Sequence, residues 1–430
     1  MTATTKHDEV LKLFEETGKI IDSSWKDGDK TNEAKTDEKL PVKIEIERMP
    51  STGMAGVDTK LFQLCATISG KIYDDKATNR VKFQELLDNI PGVKEDFPNL
   101  QVRKYDKGVS IGKDLVNEKL SLNLPTFVFI VTDETLILGW RGTKTAKDMI
   151  ADAMFGSKAP WDDMEDLQVQ TVYYDMIEKY FKRHGKDVTN MVSGNYSKVL
   201  DRGAKDGIPI KKIILTGHSL GGGLAQVAHL YLTLMDEKSN LYGLAEACNK
   251  VAIRTVAFSA PMTTALLDTP TSKATTTADF FKESIAPNMR NVVYSADIVP
   301  RGYANLKFID GFVNAFIDSE REPVEGAAKA FADAFVSFHT WIFANRKDLM
   351  KQAESYRHIG KLVYYKNATS RPLIYVDMGF LGDGPKPETG EKSFYDLVYG
   401  GPQEDVAMTA LDNHMTLVTG PGLAYADKKA

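Results

Sequence analysis

The apolar positions along this chain change period several times, and those changes mark out its elements. Residues 10–21 repeat apolar side chains at helical spacing, and residues 22–39 are polar and charged, as a linker or surface segment is. Two further helical patterns, over 61–73 (LFQLCATISGKIY) and 81–90, predict helices packed on a core. The period then shortens. Residues 126–131 (TFVFIV) and 136–140 (LILGW) are β-branched and aromatic runs, and Thr132-Asp133-Glu134-Thr135 between them predicts a β-hairpin. Beyond it, Met149, Ile150, Ala153 and Met154 share one face of a short helix, opposite Lys147 and Asp148. Residues 166–183 predict a longer amphipathic helix that buries Val169, Val172, Met176, Tyr180 and Phe181. Strand patterns over 251–258 and 291–295 follow, separated by a Thr-, Ser- and Lys-rich loop at 268–277. Residues 361–365 and 373–376 predict closing strands, 380–393 a Gly/Pro-rich loop, and a last helical pattern runs over about 404–419.

Between Arg301 and Tyr356 lies a stretch that no sheet needs for completion. Phe331, Phe335, Phe338 and Ile342 form an apolar helical stripe there, with Trp341 beside it. It reads either as a helix packed on the domain surface or as a lid that faces lipid. Strands alternating with helices of these lengths predict an α/β fold with a mainly parallel sheet and flanking helices. The expected organisation is one large domain, 56–430, carrying a helical insertion at about 302–355 and preceded by an extension, 1–55.

One stretch carries chemistry. In Ile213-Ile214-Leu215-Thr216-Gly217-His218-Ser219-Leu220-Gly221-Gly222-Gly223 an apolar strand pattern stops at Gly217, and a helical one begins after Ser219. That helix places Leu224, Val227, Ala228 and Tyr231 on a buried stripe. A serine between two glycines on a strand-to-helix turn is the arrangement of a nucleophile elbow. The glycines leave room for the sharp turn, and the helix N-terminus favours negative charge developing on a substrate oxygen. G-x-S-x-G alone occurs by chance; the strand before it and the helix after it give it weight.

Composition narrows the field of partners. The 430 residues are 43% hydrophobic and 26% charged, as in a globular protein, and the net charge of -5 argues against a nucleic-acid partner. Nothing in the pattern implies a partner protein, a metal or a cofactor. Cys65 and Cys248 make no disulfide framework and read as two free thiols of a reducing compartment. Residues 1–8 lack the apolar core of a secretory signal, and no apolar run reaches the length of a membrane span. The expectation is an intracellular protein whose contact with lipid is peripheral.

A serine hydroxyl needs a base, usually a histidine held in one tautomer by a carboxylate. On a strand-turn-helix nucleophile the partners follow in the order serine, acid, histidine. Asp297 stands just after the strand pattern at 291–295 and is the preferred acid; Asp268, Asp279 and Glu283 lie in a loop or a helical stretch. His7, His184 and His218 precede Ser219, and His229 sits in the elbow helix, which leaves His339, His358 and His414. His218 reads as packing behind the turn, and His339 falls inside the Phe-rich helix. Position alone leaves both His414, downstream of every strand, and His358 as candidate bases.

At this point the residues resemble a known family. Thr216 to Ala225 (TGHSLGGGLA) is similar to the elbow of the class 3 lipases, the group that includes the fungal triacylglycerol lipases. Trp140-Arg141-Gly142-Thr143 resembles that family's aromatic-Arg-Gly-Ser/Thr motif, and Asp297-Ile298-Val299-Pro300-Arg301 its segment around the catalytic acid. Tyr356-Arg357-His358-Ile359-Gly360 is similar to a stretch whose histidine is not catalytic, and Asp412-Asn413-His414 to the segment that holds the base. The likeness runs from about residue 61 to 420. It implies an α/β-hydrolase fold with a helical lid, and a lipase that cleaves carboxylic ester bonds of acylglycerols without a cofactor. It implies Ser219 as nucleophile, Asp297 as acid and His414 as base. It also implies an oxyanion hole from the Thr143 and Leu220 amides, Asp152 supporting Thr143, and a lid over 145–155.

Three departures bear on substrate and location. The lid tryptophan of the family is Met149 here, its His-x-Gly-Phe motif is not evident around 166–174, and the stretch between Arg301 and Tyr356 is longer than in the disulfide-bonded fungal enzymes. A phospholipase or galactolipase would use the same triad on polar membrane lipids. A non-catalytic hydrolase-like scaffold would tolerate loss of triad residues, yet all three positions are filled.

Overall fold

The structure, a computed structural model, describes residues 47–48, 54, 56–108, 125–142, 157–164, 166–199, 207–235, 243–266, 277, 279–294, 297, 299–301, 356–365 and 373–375. The first described elements are β1 (Glu47–Arg48), α1 (Thr59–Lys71), α2 (Arg80–Asp88), the single-turn α3 (Val93–Asp96) and β2 (Gln101–Asp106). Asp58 caps α1 by accepting the Leu61 amide at 2.8 Å, which satisfies one of the amides a helix start leaves over. The hairpin β3 (Phe127–Thr132) and β4 (Thr135–Trp140) is followed by the short β5 (Ser157–Lys158) and β6 (Leu167–Gln170), and then by α4 (Thr171–Val192). The elbow joins β7 (Lys212–His218) to α5 (Leu220–Thr233); α6 (Leu244–Cys248), β8 (Ala252–Phe258), β9 (Thr264–Leu266) and β10 (Met289–Tyr294) come next. The last described strands are β11 (Tyr356–Arg357), β12 (Lys361–Tyr365) and β13 (Leu373–Tyr375).

Nine strands form the main sheet in the order β1-β13-β12-β10-β8-β7-β4-β3-β2. Its centre, β4, β7, β8, β10 and β12, is parallel throughout, and the pairings at both flanks are antiparallel. This is the mixed, centrally parallel sheet with flanking helices that strand-helix alternation predicts. All six residues of β3 and of β4 are buried, because helices cover both faces and both sets of alternate side chains need a core. Phe127, Phe129, Leu136 and Leu138 point to the face that holds α4 and α5. Val128, Ile130 and Ile137 point to the opposite face, with Leu64, Ile68 and Phe83 of α1 and α2.

Several expectations are corrected. The helix expected over 166–183 begins only at Thr171, and Leu167–Gln170 is a strand instead. Leu167 and Val169 alternate into the core, while β6 pairs antiparallel with β9; the backbone partner that fixes the strand is remote in sequence. The hairpin turn is two residues, with Asp133 at φ 47, so Thr132 and Thr135 belong to the strands and face one another. β2 was not anticipated, nor was the second sheet, of order β11-β9-β6-β5. Its strands are two to four residues long, too short to show a period. The expected helices at 10–21 and 404–419, the loops at 268–276 and 380–393 and the Phe-rich stretch up to residue 355 lie outside the described residues.

Candidate active site

The elbow is built by close approach of backbone to backbone. Ser219 sits between β7 and α5 at φ 59 and ψ −130, a conformation L-residues adopt at a cost, and its amide is held by the Phe258 carbonyl at 2.9 Å. Its own carbonyl accepts the amides of Gly222 and Gly223 at 2.9 and 3.1 Å, which starts α5 without a side-chain cap. The two glycines of the motif are sterically required. A Cβ on Gly217 would lie 2.4 Å from the Gly221 carbonyl, and one on Gly221 would lie 2.2 Å from the Trp140 carbonyl. In both cases backbone would have to shift, so the spacing G-x-S-x-G follows from the geometry of the turn. The first amide of α5 is that of Leu220, at the helix end whose dipole favours an anion. Leu224, Val227, Ala228 and Tyr231 are buried as expected, though α5 is buried nearly all round rather than along a stripe.

Asp297 follows β10 as Ser219 follows β7. These strands run parallel, with β8 between them, so both residues emerge at the same carboxyl edge of the sheet, where open α/β sheets place their sites. Asp297 is fully buried, and its Oδ1 accepts the Val299 amide at 3.0 Å, which fixes the carboxylate against its own turn. Asp279 and Glu283, the weaker acid candidates, are exposed before β10.

His358, one of the two candidate bases, has a ring nitrogen taken up by a backbone carbonyl. The ring is 1% exposed, and its Nε2 lies 2.9 Å from the Pro300 carbonyl, an acceptor that requires the proton on that nitrogen. Burial pushes its pKa down to about 4, although the Pro300 carbonyl and the Asp297 charge both favour the protonated ring. His358 therefore bolts the turn that carries Asp297. The other described histidines are held in the core as well. His229 Nδ1 lies 2.8 Å from Thr255 Oγ1, with a pKa pushed down to about 3 by burial, and His184 packs 4.6 Å from the Phe127 ring. His218 closes β7 and is buried, the packing role its position suggests. Cys65 and Cys248 are buried free thiols, each raised to about 12 by burial.

Among the expected site residues the structure places Ser219, Leu220 and Asp297. Thr143, Asp152, His414 and the expected lid at 145–155 lie outside the described residues. Sequence reasoning passed over Tyr73, assigned simply to a core helix. Its hydroxyl lies 3.1 Å from His218 Nδ1 and 3.3 Å from the His218 carbonyl, immediately behind the serine. A tyrosine at a helix end carries no signal in sequence that would have marked it.

A centrally parallel sheet with helices on both faces and a strained serine between strand and helix defines an α/β-hydrolase. Residues 137–306, from within β4 to just beyond Asp297, match the model of the family Lipase (class 3). That match spans both Ser219 and Asp297, and it supports lipase activity, the hydrolysis of lipid esters. The chain is similar to solved structures at low identity. Rhizomucor miehei lipase in its propeptide complex is 13% identical at a TM-score of 0.46, with 93% of this chain and 91% of that chain covered. Lipase II from Rhizopus niveus is 14% identical at 0.42, with 83% and 91% covered. Nonglycosylated LIP2 lipase of Yarrowia lipolytica is 13% identical at 0.43, with 85% and 94% covered. No curated protein matches the chain.

Proposed function

We propose that the protein is a lipase that hydrolyses the carboxylic esters of acylglycerols through a Ser219–His414–Asp297 triad. The observation that carries the reading is the strained Ser219 between β7 and α5, flanked by glycines where any Cβ would strike neighbouring backbone. Ser219 Oγ attacks the ester carbonyl carbon as His414 takes the hydroxyl proton. The oxygen of the tetrahedral intermediate is stabilised by the Leu220 and Thr143 amides, with Asp152 supporting Thr143. Collapse breaks the ester bond, His414 returns its proton to the departing alcohol, and the acyl group stays on Ser219. Water, activated by the same histidine, then releases the fatty acid. Asp297 orients His414 and stabilises its protonated ring. Free buried thiols support an intracellular setting, with contact at a lipid surface peripheral.

Ser219→Ala is expected to abolish both ester hydrolysis and labelling by a fluorophosphonate, and His414→Ala to lower turnover on the order of a million-fold. Hydrolysis that survives in Ser219→Ala sinks the reading. Assay against triacylglycerols, phospholipids and galactolipids selects the head group. Activity confined to the polar lipids replaces the acylglycerol assignment while leaving the triad in place.

A further inference from the structure

Three segments that are remote in sequence meet directly behind Ser219. One is the end of α1, where Tyr73 stands just beyond the last helical turn with its amide on the Gly70 carbonyl at 3.2 Å. The second is His218, the last residue of β7, and the third is Gly142, just past the end of β4. The Tyr73 and His218 rings pack edge to face, with centroids 5.7 Å apart. The Tyr73 hydroxyl reaches both polar groups of His218, Nδ1 at 3.1 Å and the carbonyl at 3.3 Å. These bonds coexist when the imidazole carries its proton on Nδ1, because that proton goes to the phenol oxygen and the phenol proton goes to the carbonyl.

Gly142 closes the arrangement. A Cβ there would stand 1.9 Å from the Tyr73 hydroxyl oxygen, 2.3 Å from the His218 carbonyl and 2.9 Å from the Ser219 Cβ. The absent side chain is the space the hydroxyl enters, so Tyr73 touches the elbow and the β4 exit together. Gly142 precedes Thr143, the residue assigned an oxyanion amide, and its neighbour Arg141 is tied back to the hairpin by its amide on the Thr126 carbonyl at 2.8 Å. Any shift of Gly142 away from Ser219 therefore widens the gap between the elbow and the strand end that leads on to Thr143.

We propose that Tyr73 is a positioning residue of the ester-hydrolysing site, its hydroxyl setting the separation between the Ser219 elbow and the strand end that leads to Thr143. The inference rests on the functional reading given above. α1 delivers the hydroxyl from the opposite face of the sheet, where Ile68 packs at Gly139 and Ser69 Oγ meets Thr216 Oγ1 at 3.2 Å. The helix is thus locked to β4 and β7 at once, and its end gauges the distance between the carboxyl ends of these two strands. A displacement of an ångström in such a constellation costs on the order of a hundredfold in rate.

Tyr73→Phe deletes the hydroxyl and keeps the ring packed on His218. On a soluble p-nitrophenyl ester it is expected to lower kcat by roughly tenfold to a hundredfold, with KM within about twofold of the parent. Fluorophosphonate labelling of Ser219 should slow in proportion, and the thermal midpoint should stay within a few degrees. Adding Gly142→Ala to Tyr73→Phe should cost less than adding it to the parent, because the atom the new methyl meets first is gone. Parental kcat and labelling rate in a folded Tyr73→Phe overturn the inference and leave the functional reading standing. A parent that shows no Ser219-dependent labelling or hydrolysis overturns the functional reading, and the inference with it.

Discussion

The protonation of two buried imidazoles ties single residues to the stability of this protein. His229 and His358 have pKa values lowered by burial to about 3 and about 4, against 6.5 for the free side chain. A histidine held neutral in the fold but free to charge in the unfolded chain favours unfolding once the pH falls below 6.5. The stabilisation is complete above that pH and is lost progressively as the pH drops towards 4 for His358 and 3 for His229. Each pH unit in that window costs on the order of 1.4 kcal/mol per histidine. The thermal midpoint should therefore fall steadily from pH 6.5 to pH 4.5, and His358→Gln should fall less steeply. Parallel curves for the two proteins would show that His358 does not titrate in this way. Because its proton rests on the Pro300 carbonyl, His358→Gln should also retain most of the turnover, unlike His414→Ala. The sequence left His358 and His414 as rivals for one role; His358 is buried against the Pro300 carbonyl, and His414 lies outside the described residues. Neither burial nor the Pro300 contact has a sequence signature, since residues 300 and 358 meet only through the fold.

Among the elements, the strand-turn-helix unit of β7 and α5 packs backbone to backbone against the end of β4. Gly221 abuts the Trp140 carbonyl, and Gly222 would bring a Cβ to 2.8 Å from Ala260. Gly221→Ala must move backbone on one side or the other, and overpacking of this kind costs roughly 1 to 3 kcal/mol. Chemical denaturation should show that loss, and labelling of Ser219 should slow far more than stability alone explains, because the shift is at the nucleophile. A Gly221→Ala protein of parental stability and labelling rate would contradict the steric account. This element was the most legible part of the chain: an apolar run, two glycines and a helical stripe are all local. The start of α4 was not, because the strand character of Leu167–Gln170 depends on pairing with β9, nearly a hundred residues downstream.

In the molecule as a whole, five parallel strands carry Ser219 and Asp297 to one edge of the sheet, and the two helical layers pack behind them. The amphipathic pattern just after Thr143, with its apolar face and its Lys147 and Asp148 opposite, sits in sequence directly beyond that edge. If that segment covers the site, hydrolysis responds to interfaces. Hydrolysis per enzyme should rise several-fold when a substrate passes from dissolved monomer to emulsion. A flat rate across the solubility limit would instead fit an open site that takes short-chain esters.

The sequence by itself determined the α/β class, the hairpin and the strand-turn-helix elbow at Ser219, because each rests on the period of neighbouring residues or on one short motif. It also placed Asp297 just after a legible strand. Tertiary structure alone decided that the sheet has antiparallel flanks and a second small sheet beside it, that His358 is a buried bolt, and that Tyr73 stands behind the nucleophile. Those facts depend on contacts between segments separated by dozens to well over a hundred residues. Local hydrophobic pattern says which face a side chain turns to the core, and only the packed chain says what it meets there.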